Sequence, residues 1–173
     1  MTEAQIKEFA EMGMSERGWI SNSYAQIEYL LGDLIVHCRE FPVYNAQTGT
    51  VSHSAAKRVK KVRAILALDG PLSPFADKMT EVLDAFEGND DVRNLLAHGF
   101  CSIHYTPTGD AGFVFRKFDR AAAAEAEDDA AAIIRTFRLV DLQYHRAQMV
   151  EQAQNALAVF VGMYNSLGWN GSL

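Results

Sequence analysis

The chain reads as a mainly α protein, an up-and-down four-helix bundle with a small β-hairpin or meander inserted between the third and fourth long helices. Three observations predict this. Apolar residues recur at three- and four-residue steps over four separate stretches, the mark of helix faces turned to a core. Between the third and fourth stretches the pattern changes to short runs of aromatic and β-branched residues around a Pro-Thr-Gly-Asp turn. The connections are short, which favours antiparallel neighbours. A chain of 173 residues suits one domain, 1–173, with a single core. No repeat or linker divides it.

Residues 1–15 read as a short N-terminal arm with weak helical character. The first long helix runs from about Trp19 to Phe41, with Ile20, Tyr24, Ile27, Leu31, Leu34 and Cys38 on one stripe, and Pro42 stops it. Residues 42–52 read as a loop. A second helix over about Ser54–Leu68 turns Val59, Val62, Ile65 and Leu66 inward, and Asp69-Gly70-Pro71 ends it. The third starts near Ser73-Pro74, with proline favoured in a first turn. Gly88-Asn89-Asp90 interrupts it, kinking the helix or restarting it with Asn89 or Asp90 as a new cap. It then continues to Gly99, a good C-cap residue. The β insertion covers about 100–138, with strands at Phe100–Thr106, Gly112–Phe118 and Ile133–Phe137, a turn over 107–110, and a short helix or exposed loop within 121–131. The last helix, about Val140–Leu167, has Leu142, Met149, Ala153, Ala156, Phe160, Met163 and Leu167 as its seam.

Hydrophobic residues make up 49% of the chain and charged residues 22%, which excludes a disordered protein. A net charge of −6 argues against a general nucleic-acid-coating protein. The charge is unevenly spread. Lys57, Arg58, Lys60, Lys61 and Arg63 put five of the 16 basic residues into seven positions of the second helix, leaving the remainder more acidic than the total implies. This run is a candidate for RNA or phosphate contact; the plainer reading is a solvated helix face. The opening residues carry acids and no long apolar run, the two cysteines suit a reducing compartment, and no stretch approaches the length of a membrane span. The expectation is a cytoplasmic protein that does not enter a membrane.

The segment Arg93-Asn94-Leu95-Leu96-Ala97-His98-Gly99 concentrates chemistry at the end of the third helix. Helix geometry separates Asn94 and His98 by about 40° around the axis and Arg93 and His98 by about 140°. One polar edge therefore carries Asn94 and His98, with Arg93 on its flank. Polar groups on a core helix need partners or a purpose, because burying them alone is costly. Arginine, a polar residue and then histidine at the end of the third helix of such a bundle resembles the HEPN superfamily. Only this motif is specific to it; the rest of the match is the helical pattern over roughly 19–167.

The resemblance implies a homodimer whose two motifs share one cleft, and in many members a metal-independent endoribonuclease of toxin or antiviral-defence type. On that reading His98 is the general acid or base, Arg93 holds the scissile phosphate and Asn94 orients His98 or a phosphate oxygen. Attack by the RNA 2′-hydroxyl needs neither metal nor cofactor. An antitoxin-type protein is a further implied partner. In a subset of the family the residue two beyond the histidine is a tyrosine open to modification by a nucleotidyltransferase. Here it is Phe100, which has no hydroxyl to modify. Other HEPN-like domains are non-catalytic, so a dimeric interaction module or a nucleotide or small-molecule pocket stands as the alternative, with Arg93, Asn94 and His98 as a buried polar network.

Beside the inner stripe of the first helix, Glu28 is a supporting candidate that would pair with Arg93 or position His98. Asp33 reads as solvated. Cys101-x-x-His104 does not complete a metal site, since strand alternation turns residues three apart to opposite faces. His37, His53 and His145 read as isolated side chains. No phosphate-cradling glycine loop and no nucleophile elbow is present.

Overall fold

The computed structural model describes residues 1–106 and 110–169. The described part is mainly helical, with one small antiparallel sheet. Helix α1 runs Glu3–His37, followed by 3₁₀ turns at Cys38–Glu40 and Pro42–Tyr44, α2 (Asn45–Thr48) and α3 (Ala55–Leu66). A 3₁₀ turn at Ser73–Phe75 leads into α4 (Ala76–Gly88) and α5 (Asp90–His98). Then come β1 (Phe100–Tyr105), β2 (Ala111–Phe118), α6 (Arg120–Ala126), β3 (Ala132–Phe137) and α7 (Leu139–Leu167). The chain forms two compact units: Met1–Asn22 with Asp90–Val150, and Ser23–Asn89 with Glu151–Leu173. Among the described residues no helix is long and apolar enough to cross a membrane.

In the first unit the strand order is β1-β2-β3, with Ile103, Phe113 and Phe137 opposed in one row and Phe100, Arg116 and Ile134 in another. Opposed residues share a face and alternation separates the rows. Phe113, Phe115 and Phe137 are therefore on one face, and all three are buried. The N-terminal half of α1 covers it. Phe9 stacks on Phe113 at 4.5 Å between ring centroids, and the Arg17 guanidinium lies 5.5 Å from the Phe115 ring centre. Between them Gly13 has no room for a side chain, since a Cβ there would come within 2.1 Å of the Phe113 ring. His145 of α7 meets the edge of Phe137. Phe9, Gly13 and Arg17 are spaced at i, i+4 and i+8, one helix stripe. That spacing joins what was expected as an arm over 1–15 to the rest of α1. The segment is helix from Glu3 because its sheet-facing stripe gives it something to pack on.

One other expectation changes, and two that were left open are decided. The region 42–52 holds a helical turn and α2, anchored by Tyr44, which is fully buried and accepts a hydrogen bond from the Leu72 amide at 2.9 Å. The third helix is two helices: Asn89, at φ −111° and ψ 7°, ends α4, and Asp90 begins α5. Glycine and asparagine are poor helix formers, so the break falls where propensity is lowest. The segment 121–131 begins as α6, capped by the Asp119 carboxylate on the amides of Ala121 and Ala122, and turns at Glu127 with φ 50°. Of the expected hairpin turn, 107–109 lie outside the described residues.

The second unit gathers the expected helix stripes. Ile27, Leu31 and Leu34 of α1, Val62 and Ile65 of α3, Met79 and Leu83 of α4, and Phe160 and Met163 of α7 are fully buried or nearly so. Tyr24 stacks on Phe86 with 4.0 Å between centroids.

Candidate functional site

Local sequence explains α5. Asp90 and Asp91 sit in its first turn, where carboxylates are favoured by the amide ends, and Leu95 and Leu96 are its buried anchors. The Asp90 carboxylate gathers two motif side chains. Arg93 Nη2 pairs with Oδ1, and Asn94 Nδ2 donates to Oδ2 at 2.8 Å. The Arg93 side chain is only 12% exposed and Asn94 is half-buried. His98, two turns beyond Asp90, is exposed. The motif is therefore graded, with an inner charge-paired cluster and an accessible imidazole at its end. The three residues do not form one buried network.

Arg17, from outside the segment, and Gly99, at its end, hold the end of α5 in place. Arg17 of α1 donates Nε to the Leu96 carbonyl and Nη2 to the carbonyls of Ala97 (3.1 Å) and Gly99 (3.2 Å). The last carbonyls of a helix have no partner within it and carry partial negative charge, so a half-buried guanidinium satisfies both demands. Gly99 follows the last residue of α5, at the C-cap expected for it. Its φ is not positive, and its function is steric: a Cβ would lie 2.4 Å from the Leu95 carbonyl oxygen and 3.5 Å from that of Arg116. Glycine lets α5 turn directly into β1 against the β2 backbone. A lone arginine 76 positions before the motif arginine carries no sequence signal for this role.

The basic helix α3 and Glu28 belong to the second unit. Burial and pairing divide the five cations. Arg58 is tied to backbone, donating Nε to the Ser52 carbonyl at 2.6 Å and Nη1 to the Glu28 carbonyl at 2.9 Å. Arg63 bridges Asp84 and Glu87 of α4 at 2.5 and 2.6 Å, and these two acids push its pKa up further. Lys61 Nζ donates to the Thr50 carbonyl and, at 3.2 Å, to its hydroxyl. Lys57 and Lys60 are exposed, and with Lys61 they line a groove of about 520 Å³ that also takes in Gln47, Thr50 and Ser52. The charge run is thus partly internal scaffolding. Glu28 is half-buried on α1.

Among the remaining candidates, burial pushes the Cys38 thiol up to about 12 and the Cys101 thiol upward as well, so neither is an activated nucleophile. Cys101 opposes buried Phe115, while His104 falls on the other face of β1, and no group of three potential metal ligands exists among the described residues. Asp33 and His37 depart from expectation. The Tyr164 hydroxyl donates to Asp33 Oδ2 at 2.8 Å, and His37 Nδ1 lies 3.4 Å from the same oxygen. Both side chains are largely buried, and the Tyr164 hydroxyl is pushed well above its usual range by burial and by Asp33. The i, i+4 spacing of Asp33 and His37 was the available signal; the tyrosine comes from 131 positions away.

No family model, curated protein or solved structure matches this chain.

Proposed function

We propose that the chain is a HEPN-type protein acting on RNA through α5, as a metal-independent endoribonuclease. The observation that carries this reading is the exposed His98 imidazole at the end of a charge-paired Asp90–Arg93–Asn94 cluster. A histidine kept for packing is buried or bonded. One that must exchange protons with a substrate has to reach it. His98 would take the proton of the attacking 2′-hydroxyl or give one to the departing 5′-oxygen. Arg93, steadied by Asp90, would stabilise the charge on the phosphoryl oxygens. The products would be a 2′,3′-cyclic phosphate and a free 5′-hydroxyl. The reading includes an up-and-down four-helix arrangement, a homodimer whose two motifs face one cleft, an antitoxin-type partner and a cytoplasmic setting.

The test is incubation of the purified protein with single-stranded RNA in EDTA. Cleavage ending in cyclic phosphate should fall at least about 100-fold in His98→Ala, with the melting temperature unchanged. If wild type and His98→Ala treat a varied RNA set alike, the nuclease reading ends. The second reading, a non-catalytic dimeric interaction module or nucleotide pocket, is favoured by one observation: Asp90 already engages both Arg93 and Asn94. It expects His98→Ala to weaken dimerisation and no RNA to be cut.

A further inference from the structure

The sheet of the first unit has a second face. Phe113, Phe115 and Phe137 are buried on one side; on the other Val114 is buried, while Phe100, Phe118 and Ile134 around it are 69%, 75% and 59% exposed. Arg116 joins them. It opposes Phe100 on β1 and Ile134 on β3, and stands two residues, about 7 Å, from Phe118 along β2. Its Nη1 donates to the Ser102 hydroxyl at 2.8 Å, a residue of the same face on β1. His98 immediately precedes this patch, its Cα no more than about 7.6 Å from that of Phe100.

The charge of this face is as telling as its apolarity. The chain carries 22 acidic residues and a net charge of −6, yet no acidic residue stands on this face within the three strands; its charged and titratable members are Arg116 and His104. Exposed aromatic rings normally mark a binding surface, and rings interleaved with arginine on an open antiparallel sheet suit planar bases joined by phosphates. A purely apolar protein partner would leave Arg116 without a counter-charge. A polyanion with unpaired bases satisfies both ring and cation.

We propose that the open sheet face, centred on Phe100, Arg116 and Phe118, is a stacking platform for unpaired bases that delivers single-stranded RNA to His98. The proposal rests on the RNA reading of α5 and names the form of RNA that site takes. Phe100 and Phe118 stack successive bases, Arg116 holds the intervening phosphate, and duplex RNA, whose bases are already stacked and paired, is refused.

The experiment measures binding of a 2′-O-methyl oligoadenylate, which 2′-hydroxyl attack cannot cleave, and of the same strand in a duplex. Phe100→Ala and Phe118→Ala should each weaken single-strand binding roughly ten- to a hundredfold while leaving the melting temperature within a degree or two. Phe118→Trp should keep the affinity, and its fluorescence should be quenched by the oligonucleotide. Equal binding by wild type and both alanine variants overturns the platform, as does duplex binding as tight as single-strand binding. So does sedimentation showing that Phe118→Ala separates two copies of the chain, which would make the face an interface between copies. The two proposals fail separately. A wild type that binds through these rings but never cuts ends the nuclease reading alone. A wild type that cuts through His98 while the ring variants bind and cut normally ends the platform alone.

Discussion

Helices α3 and α5 each concentrate charge in a few residues, and the protein uses the two concentrations differently. On α3 most of the cations are already tied to partners: Arg58 to two loop and helix carbonyls, Arg63 to two acids of α4, Lys61 to Thr50. On α5 the pairing is confined to the first turns, where Asp90 holds Arg93 and Asn94, and the terminal His98 is left accessible. A charge run is therefore a weaker functional sign than a single titratable group whose neighbours have been satisfied without it. The number of charges matters less than which of them already have partners.

The sharpest way to break this comparison is to release the end of α5. Arg17→Met keeps a long unbranched side chain but strands three carbonyls and removes the cation beside Phe115, and it should lower stability by about 2–3 kcal/mol in urea unfolding. An unchanged midpoint would mean the clamp is idle. Gly99→Ala forces a Cβ against the Leu95 carbonyl oxygen, which something must yield to accommodate. Its expected loss is about 1–3 kcal/mol; on the proposed nuclease reading, cleavage should fall alongside because His98 is displaced.

On the α3 side, Arg58→Ala should cost about 1–2 kcal/mol by freeing the Ser52 and Glu28 carbonyls. Lys57→Ala and Lys60→Ala, being exposed, should stay within about 0.5 kcal/mol of wild type. If the lysine variants destabilise the protein as much as Arg58→Ala does, the division of α3 into scaffold and surface is wrong. The smallest expected effect is a pH slope. Burial lowers the pKa of His145 below 6.5, partly countered by Asp141, so the unfolded chain takes up that proton first as pH falls. Its contribution is complete above pH 6.5 and is lost as pH drops toward the folded pKa. Denaturant titrations at pH 7.5 and 5.5 should show a shallower decline for His145→Gln than for wild type.

Much of this was legible beforehand because it is local. The stripes of the first and last helices, the inward residues of α3, the break near Asn89 and the strand pattern all follow from periodicity and propensity within a few turns. The joining of 1–15 to α1 was not, because Phe9, Gly13 and Arg17 make a stripe only once a sheet from residues 100–137 lies against it. Tyr44 in an apparent loop and Asp33 on an apparently solvated flank were missed for the same reason. Each takes its meaning from a partner far along the chain, the Leu72 amide and the Tyr164 hydroxyl.

Sequence alone determined where most of the helices and strands lie, outside 1–15 and 42–52, and that Arg93, Asn94 and His98 share one helix, since spacing along a helix converts directly into angle and rise. The tertiary structure alone decided which of those side chains remain available. It set Arg17 under the carbonyls at the end of α5, 79 or more positions away, and it turned Phe100 and Phe118 outward while Phe113 and Phe115 of the same sheet packed inward. Long charged side chains and strand faces have no intrinsic direction of use. Their partners come from wherever the fold brings a counter-charge, an orphan carbonyl or an apolar surface.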